Sequence, residues 1–336
     1  MHMADALLSP AAGIVMWTAS AGTLVWAAKK IKNETDSKVI PLMGILGAFV
    51  FTSQMINFTI PGTGSSGHLG GGMLLAILLG PHAAFLSIAS VLLVQALFFA
   101  DGGLLALGCN IFNMGFIPCF LVYPFIYKPI EGNNSGKTRA AAAVIFSAIC
   151  ALALGSLGVV LQTAFSGISS IPLFKFILLM LPIHLAIGTA EGIITLAVVS
   201  FLKEVRPDLT KSKTAADFKK YFIIISAAAL ITGGVISWFA SANPDGLEWA
   251  IFHSTGTEEP ERPGAYWHNI FSALQEKLAF MPDYSFKTAS RENSAIQENW
   301  PAVNPGTSIS GIIGGLLVVL VLSSAGIILR RRSKRR

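Results

Sequence analysis

Charge is scarce in this chain: Asp, Glu, Lys and Arg make up 12% of 336 residues, while 53% are hydrophobic. That excludes a soluble globular domain, which carries about twice that share of charge. The net charge of +6 does not point to nucleic acid, because the lysines and arginines sit in short segments beside apolar runs, where they report membrane topology. Carboxylates are missing from the apolar runs apart from Glu191, which removes the oxygen-rich sites that hold hard cations such as Ca(II) or Mg(II). Cys109, Cys119 and Cys150 stand singly, without metal-ligand or redox spacing, and read as small packing residues. HExxH, nucleophile-elbow and dinucleotide motifs are lacking. Gly132 to Thr138 resembles a phosphate loop but places three residues between its glycines where that motif needs four. The chain therefore reads as a non-enzyme with no ATPase of its own. A basic region before the first apolar run is also lacking, so the first helix is expected to be retained.

What is present is a series of apolar runs: Leu7 to Ala28, Val39 to Phe58, Leu69 to Phe99, Leu104 to Tyr127, Ala140 to Phe165, Phe174 to Leu202, Tyr221 to Ala240 and Ile309 to Leu329. Most suffice to cross ~30 Å of hydrocarbon as helix. The expected class is an all-α polytopic membrane protein in a lipid bilayer. Basic clusters at Lys29/Lys30/Lys32/Lys38, Lys128/Lys137/Arg139, Lys203 to Lys220 and Arg330 to Arg336 are expected on the cytoplasmic side, with the N-terminus outside and the C-terminus inside. An even number of crossings between Lys38 and Lys128 splits Leu69 to Phe99 into two helices at Gly80-Pro81, where proline ends a helix, for nine in total. By composition the chain divides into a seven-helix block (1–203), a basic cytoplasmic linker (204–220) and a two-helix unit (221–336). That unit carries an outer excursion (241–308), whose many aromatics suggest that it rests on the bilayer or on the first block.

The stretch Asn57 to Gly72, NFTIPGTGSSGHLGGG, is glycine-rich and polar between apolar runs and holds one strong ligand, His68. His2 places an imidazole one residue from the Met1 α-amine. Amine and amide nitrogens close a five-membered chelate ring on a metal, amide and His2 Nδ1 a six-membered one, and His68 would complete a planar four-nitrogen set suited to Ni(II) or Cu(II). Because the amide must lose its proton, Ni(II) is expected over Co(II). Asn57 is a candidate partner that orients the His68 ring. His184 and Glu191 are seven residues apart on one helix face at membrane depth, a polar pair of open role. His82 is expected at a cytoplasmic turn, and His253, His268 and Glu258/Glu259/Glu261 at a solvated surface.

The segments MHMADALLSP, MINFTIPGTGSSGHLGGG, LFFADGGLLALGCNIFNMG and LPIHLAIGTAEGIIT, in this order over residues 1–203, resemble the substrate-binding subunit of energy-coupling-factor nickel/cobalt transporters, the CbiM/NikM family. Pro244-Asp245-Gly246-Leu247-Glu248 resembles the PDGLE element of the small partner subunit of nickel systems, here fused. The resemblance implies capture of Ni(II) or Co(II), transported and not a resident cofactor, by Met1, His2 and His68. It also implies a separate transmembrane coupling subunit, two cytoplasmic ATP-binding subunits and a bacterial or archaeal plasma membrane. The excursion, belonging to the appended unit, is expected to serve transport and not the holding of metal. An alternative is a stand-alone proton-coupled secondary carrier, although such carriers place several carboxylates near the midplane.

Overall fold

The computed structural model describes residues 1–34, 39–132, 136–205, 215–257, 266–287 and 300–333. Helices dominate, as they must where lipid leaves no water to satisfy backbone amides. After a single turn at Asp5–Leu7 come α1 (Pro10–Glu34), α2 (Val39–Gln54), a hairpin of β1 (Phe58–Ile60) and β2 (Ser65–Gly67), and α3 (Gly72–Leu79). These are followed by α4 (Pro81–Phe99), α5 (Leu107–Glu131), α6 (Lys137–Ser166), α7 (Leu173–Val205), α8 (Ala215–Gly234), α9 (Gly246–Thr255), α10 (Tyr266–Leu278) and α11 (Pro305–Ser333). Among the described residues, six helices are long and apolar enough to cross a membrane: α1, α4, α5, α6, α7 and α11. Helix α2, the apolar part of α8 (Phe222–Gly234) and the eight-residue α3 are shorter.

Local chemistry explains the breaks. Gly80 takes a φ of 78°, its amide closes onto the Ala76 carbonyl, and Pro81 opens α4, so the chain reverses where a glycine–proline pair both caps and interrupts. Within α5 the segment from Phe112 to Tyr127 runs with the wider π-type turn and includes Pro118 and Pro124, each of which lacks the amide that a regular ladder needs. The three cysteines are free thiols, two of them buried.

Helices α6 and α7 pack along their length through small residues. A Cβ added at Gly188 would lie 2.7 Å from the Ile149 Cα, and one at Gly192 would lie 2.8 Å from the Ile145 Cα. Close backbone approach over a Gly-xxx-Gly face replaces the hydrophobic drive that lipid cannot supply between helices. From the appended unit, α8 and α11 pack on α2, and α9 packs on α7.

The excursion rests on the first block. The Ser241 amide donates to the Asn57 carbonyl (2.7 Å), the Ser66 amide to the Pro244 carbonyl (2.8 Å), and the Trp249 indole to the Thr63 carbonyl (2.9 Å). His268, expected at a solvated surface, is instead buried. Its Nε2–H donates to the Leu8 carbonyl (2.8 Å), because α10 lies against the first turn of the chain. His253 lies tilted against Trp249 (ring centroids 4.0 Å), while Glu258, Glu259 and Glu261 fall outside the described residues. His82 lies in an aromatic cluster with Trp26 and Phe120.

We predict that Gly188→Leu forces α6 and α7 apart, since the obstacle is backbone and cannot rotate away. The unfolding midpoint in detergent should fall markedly, by the ~1–3 kcal/mol typical of overpacking or more, while Gly22→Leu, where an added Cβ meets nothing within 4 Å, should leave it unchanged.

Candidate metal centre

The first three residues thread into one end of the bundle. The Met3 amide donates to Asn110 Oδ1 (2.8 Å), the Gly103 amide to the Met3 carbonyl (2.9 Å), and the Ala106 amide to Asp5 Oδ1 (2.9 Å). Pinned in this way on both sides, Met1 is 5% exposed and Met3 fully buried.

The hairpin brings His68 to the same place. His68 Nδ1 donates to the Leu69 carbonyl (3.0 Å), which leaves the Nε2 lone pair facing the Met1 amine at 3.5 Å. The His2 ring stacks on the His68 ring with centroids 5.0 Å apart and planes 16° apart. Two nitrogens on adjacent corners of a square with ~2 Å metal bonds lie about 2.8 Å apart, a little closer than the 3.5 Å between Met1 and His68. Burial first, and then the Met1 ammonium, lower both imidazoles to about 3, so both stay neutral with lone pairs available. Among the described residues no three His, Cys, Asp or Glu side chains converge as a ligand set, so a nitrogen site here has to draw on the amine and backbone.

Asn57 does not orient His68. The Leu69 carbonyl takes that place, and the Asn57 carbonyl receives the Ser241 amide. His184 and Glu191 share a face but not a bond. His184 Nδ1 donates to the Met180 carbonyl one turn back (2.7 Å), and its Nε2 has no partner beside a small cavity lined by Met1, His68 and Asp245. Glu191 reaches the loop that carries His68, accepting from the Gly70 amide (2.6 Å) and the Gly71 amide (3.2 Å). The opposite side of that loop is held by Gln54, whose Nε2 donates to the Gly70 carbonyl (2.8 Å) and whose Oε1 receives Gln95 Nε2 (3.0 Å).

Three residues that sequence reasoning did not assign complete the surroundings. Asp245 Oδ2 accepts from the Met1 ammonium at 3.2 Å. Burial opposes its ionisation, but the ammonium and the Glu248 amide hold its carboxyl below the usual range. Asp101 Oδ1 faces His2 Nδ1 at 3.1 Å, and its other oxygen accepts from the Tyr284 hydroxyl. The expected chelate through His2 Nδ1 therefore requires that ring to turn away from Asp101, since Nε2 is the ring nitrogen with no partner. Nothing local to Asp101 or Tyr284 signals this, whereas Asp245-x-x-Glu248 is a visible helix-capping pattern. A cavity of about 450 Å³ opens onto His2, His68, Asp101, Asp245 and Glu248.

The geometry can be set beside known proteins. The family model described as cobalt uptake substrate-specific transmembrane region, CbiM, matches residues 2–209, and that of the PDGLE domain matches residues 219–331. A protein of Archaeoglobus fulgidus described as a fused nickel transport protein, NikMN, is 32% identical over 95% of this chain and 96% of its own length. A cobalt transport protein CbiM of Sorangium cellulosum is 31% identical over 62% of this chain and 94% of its own. A crystal structure of a transition metal transporter is 32% identical with a TM-score of 0.54, covering 67% of this chain and 99% of that one.

We predict that Glu191→Ala, by leaving the Gly70 and Gly71 amides unpaired at depth, costs about 3–5 kcal/mol. A lowered unfolding midpoint in detergent would show it, and an unchanged midpoint would mean that Glu191 does not hold the His68 loop.

Proposed function

The chain belongs to the CbiM family of cobalt uptake substrate-specific transmembrane regions and carries a PDGLE domain behind that block, and from that premise we propose that it captures Ni(II) in preference to Co(II) for ATP-driven uptake. It is a nickel/cobalt transport protein of the membrane, and its own sequence carries no ATPase motif. In this reading ATP hydrolysis belongs to two cytoplasmic subunits that act through a transmembrane coupling subunit, as the resemblance implies. The observation that carries the reading is the approach of the Met1 nitrogen to His68 Nε2 at 3.5 Å, with the His2 ring stacked alongside at 5.0 Å.

Capture proceeds by ligand exchange. An aqua ion enters through the cavity onto His2 and His68. The Met1 ammonium and the His2 amide each give a proton to solvent, and their nitrogens bond the metal together with the two imidazoles. Divalent charge comes in and two protons go out, with no change of oxidation state. Amide deprotonation under a metal favours Ni(II) over Co(II), since Ni(II) gains more from strong planar nitrogen donors. The Gly70–Gly71 turn, clamped by Glu191 and Gln54, holds the loop that carries His68, so that ligand needs little ordering at binding.

Orientation follows from the same end of the bundle. Helices α1 and α5 both start beside the site, where the Trp17 indole donates to the Leu104 carbonyl, and both run to lysines at their far ends, Lys29/Lys30 and Lys128. Under the positive-inside rule the site then faces outward. The rival secondary carrier needs a carboxylate free to cycle protons at depth, and Glu191 is engaged by two backbone amides.

The test is an uncleavable Gly-Ser extension before Met1 compared with the same extension after Arg336, at matched expression. The first converts the amine into an amide and loses one chelate ring, so Ni(II) binding should weaken about 10³-fold. The second should be tolerated. Equal affinities would mean that the amine is not a ligand.

A further inference from the structure

Asp245 lies 244 residues from Met1 in sequence, in the unit expected to have no part in holding metal, and yet it meets the Met1 nitrogen at 3.2 Å. The approach is built. The Ser66 amide and hydroxyl bond the Pro244 and Asn243 carbonyls at 2.8 and 2.7 Å, docking the segment on β2. At Gly246 an added Cβ would sit 2.6 Å from Ile183 Cγ2, so only glycine lets the chain come flush with α7.

The two carboxylate oxygens then have separate tasks. Oδ1 accepts from the Leu247 and Glu248 amides, both at 2.8 Å, while the Glu248 carboxylate answers the Asp245 amide at 3.0 Å. This capping box locks the rotamer. Oδ2 is left to face the amine. With the side chain only 17% exposed, its charge acts in a poorly solvated place.

A charge count gives this arrangement a role. A divalent ion held by a neutral amine, one amidate and two neutral imidazoles carries a net charge of +1, and an uncompensated charge in such a place is costly. One carboxylate cancels it. The same carboxylate cancels the ammonium when the amine is protonated, so Asp245 has a matching charge both before and after one divalent ion replaces two protons, with N–H bonds giving way to N–metal bonds. In both situations Oδ2 accepts a hydrogen bond from the Met1 nitrogen and aims it.

We propose that Asp245 is the positioning residue and counter-charge of the metal-holding N-terminus, so that the appended unit sets how long the ion is retained. This rests on the reading of Met1, His2 and His68 as ligands. It also assigns the excursion a part in metal holding that its position in the chain does not suggest.

Asp245→Asn separates charge from structure, since Asn caps a helix as well as Asp does but carries no charge. The full-length variant and the parent are loaded with Ni(II) in detergent and chased with excess EDTA, with His68→Ala alongside. Loss of one partner of a buried charge pair acts on dissociation. Release from Asp245→Asn should therefore be about 30-fold faster or more, and Asp245→Glu should recover part of the slow release. If Asn destabilises the fold, Asp245→Ser, another capping residue, takes its place with the same expectation. Parental release from Asp245→Asn while His68→Ala fails to hold the ion would overturn the proposal and leave the ligand assignment standing. Parental release from both variants would overturn the ligand assignment and the proposal with it.

Discussion

An ammonium group cannot stay unpaired inside a protein, and the buried Met1 nitrogen is answered by Asp245 at 3.2 Å. Much of this end of the molecule depends on that pairing. The N-terminal residues are drawn inward and held by Asn110, Gly103 and Ala106. The excursion is folded back over the hairpin so that the helix cap at Asp245 arrives where the amine is. Asp101, held by Tyr284, gives the adjacent His2 ring a partner in the same way, so two carboxylates that rely on the excursion flank two of the proposed donors.

The second constraint is that polar backbone inside a bilayer-embedded bundle must find partners within the protein. The glycines after His68 leave helical geometry, and their amides would be orphaned without the Glu191 carboxylate. An acidic residue in the middle of α7 is thus accounted for by the two backbone amides it accepts from. Its cost is offset because it completes the loop that presents His68 Nε2. The close α6–α7 crossing at Gly188 and Gly192 brackets Glu191 and fixes its position against the loop.

Much of this was legible in the residues. Apolar runs mark the long helices and Gly80-Pro81 marks the reversal between α3 and α4, while His2 beside a terminal amine and His68 in a glycine-rich turn, far apart in sequence, do meet in the fold. The seven-residue spacing of His184 and Glu191 correctly places them on one face, but spacing on a helix says nothing about what lies across from it, and each has a separate partner. Asp245 shows why long-range placement escapes a reading of this kind. Its D-x-x-E pattern announces a helix cap, whereas its meeting with Met1 depends on how α8 and α11 dock on α2 and how Ser66 receives Pro244. Asn57 and His268 fail for the same reason, since the Leu69 carbonyl displaces one and α10 buries the other.

The central claim is that the ion is held by nitrogens alone, from Met1, His2 and His68. Nickel K-edge X-ray absorption of the loaded full-length protein measures this directly. Four nitrogen neighbours in a planar, diamagnetic site agree with the account, while six neighbours including carboxylate or water oxygens in a paramagnetic site contradict it.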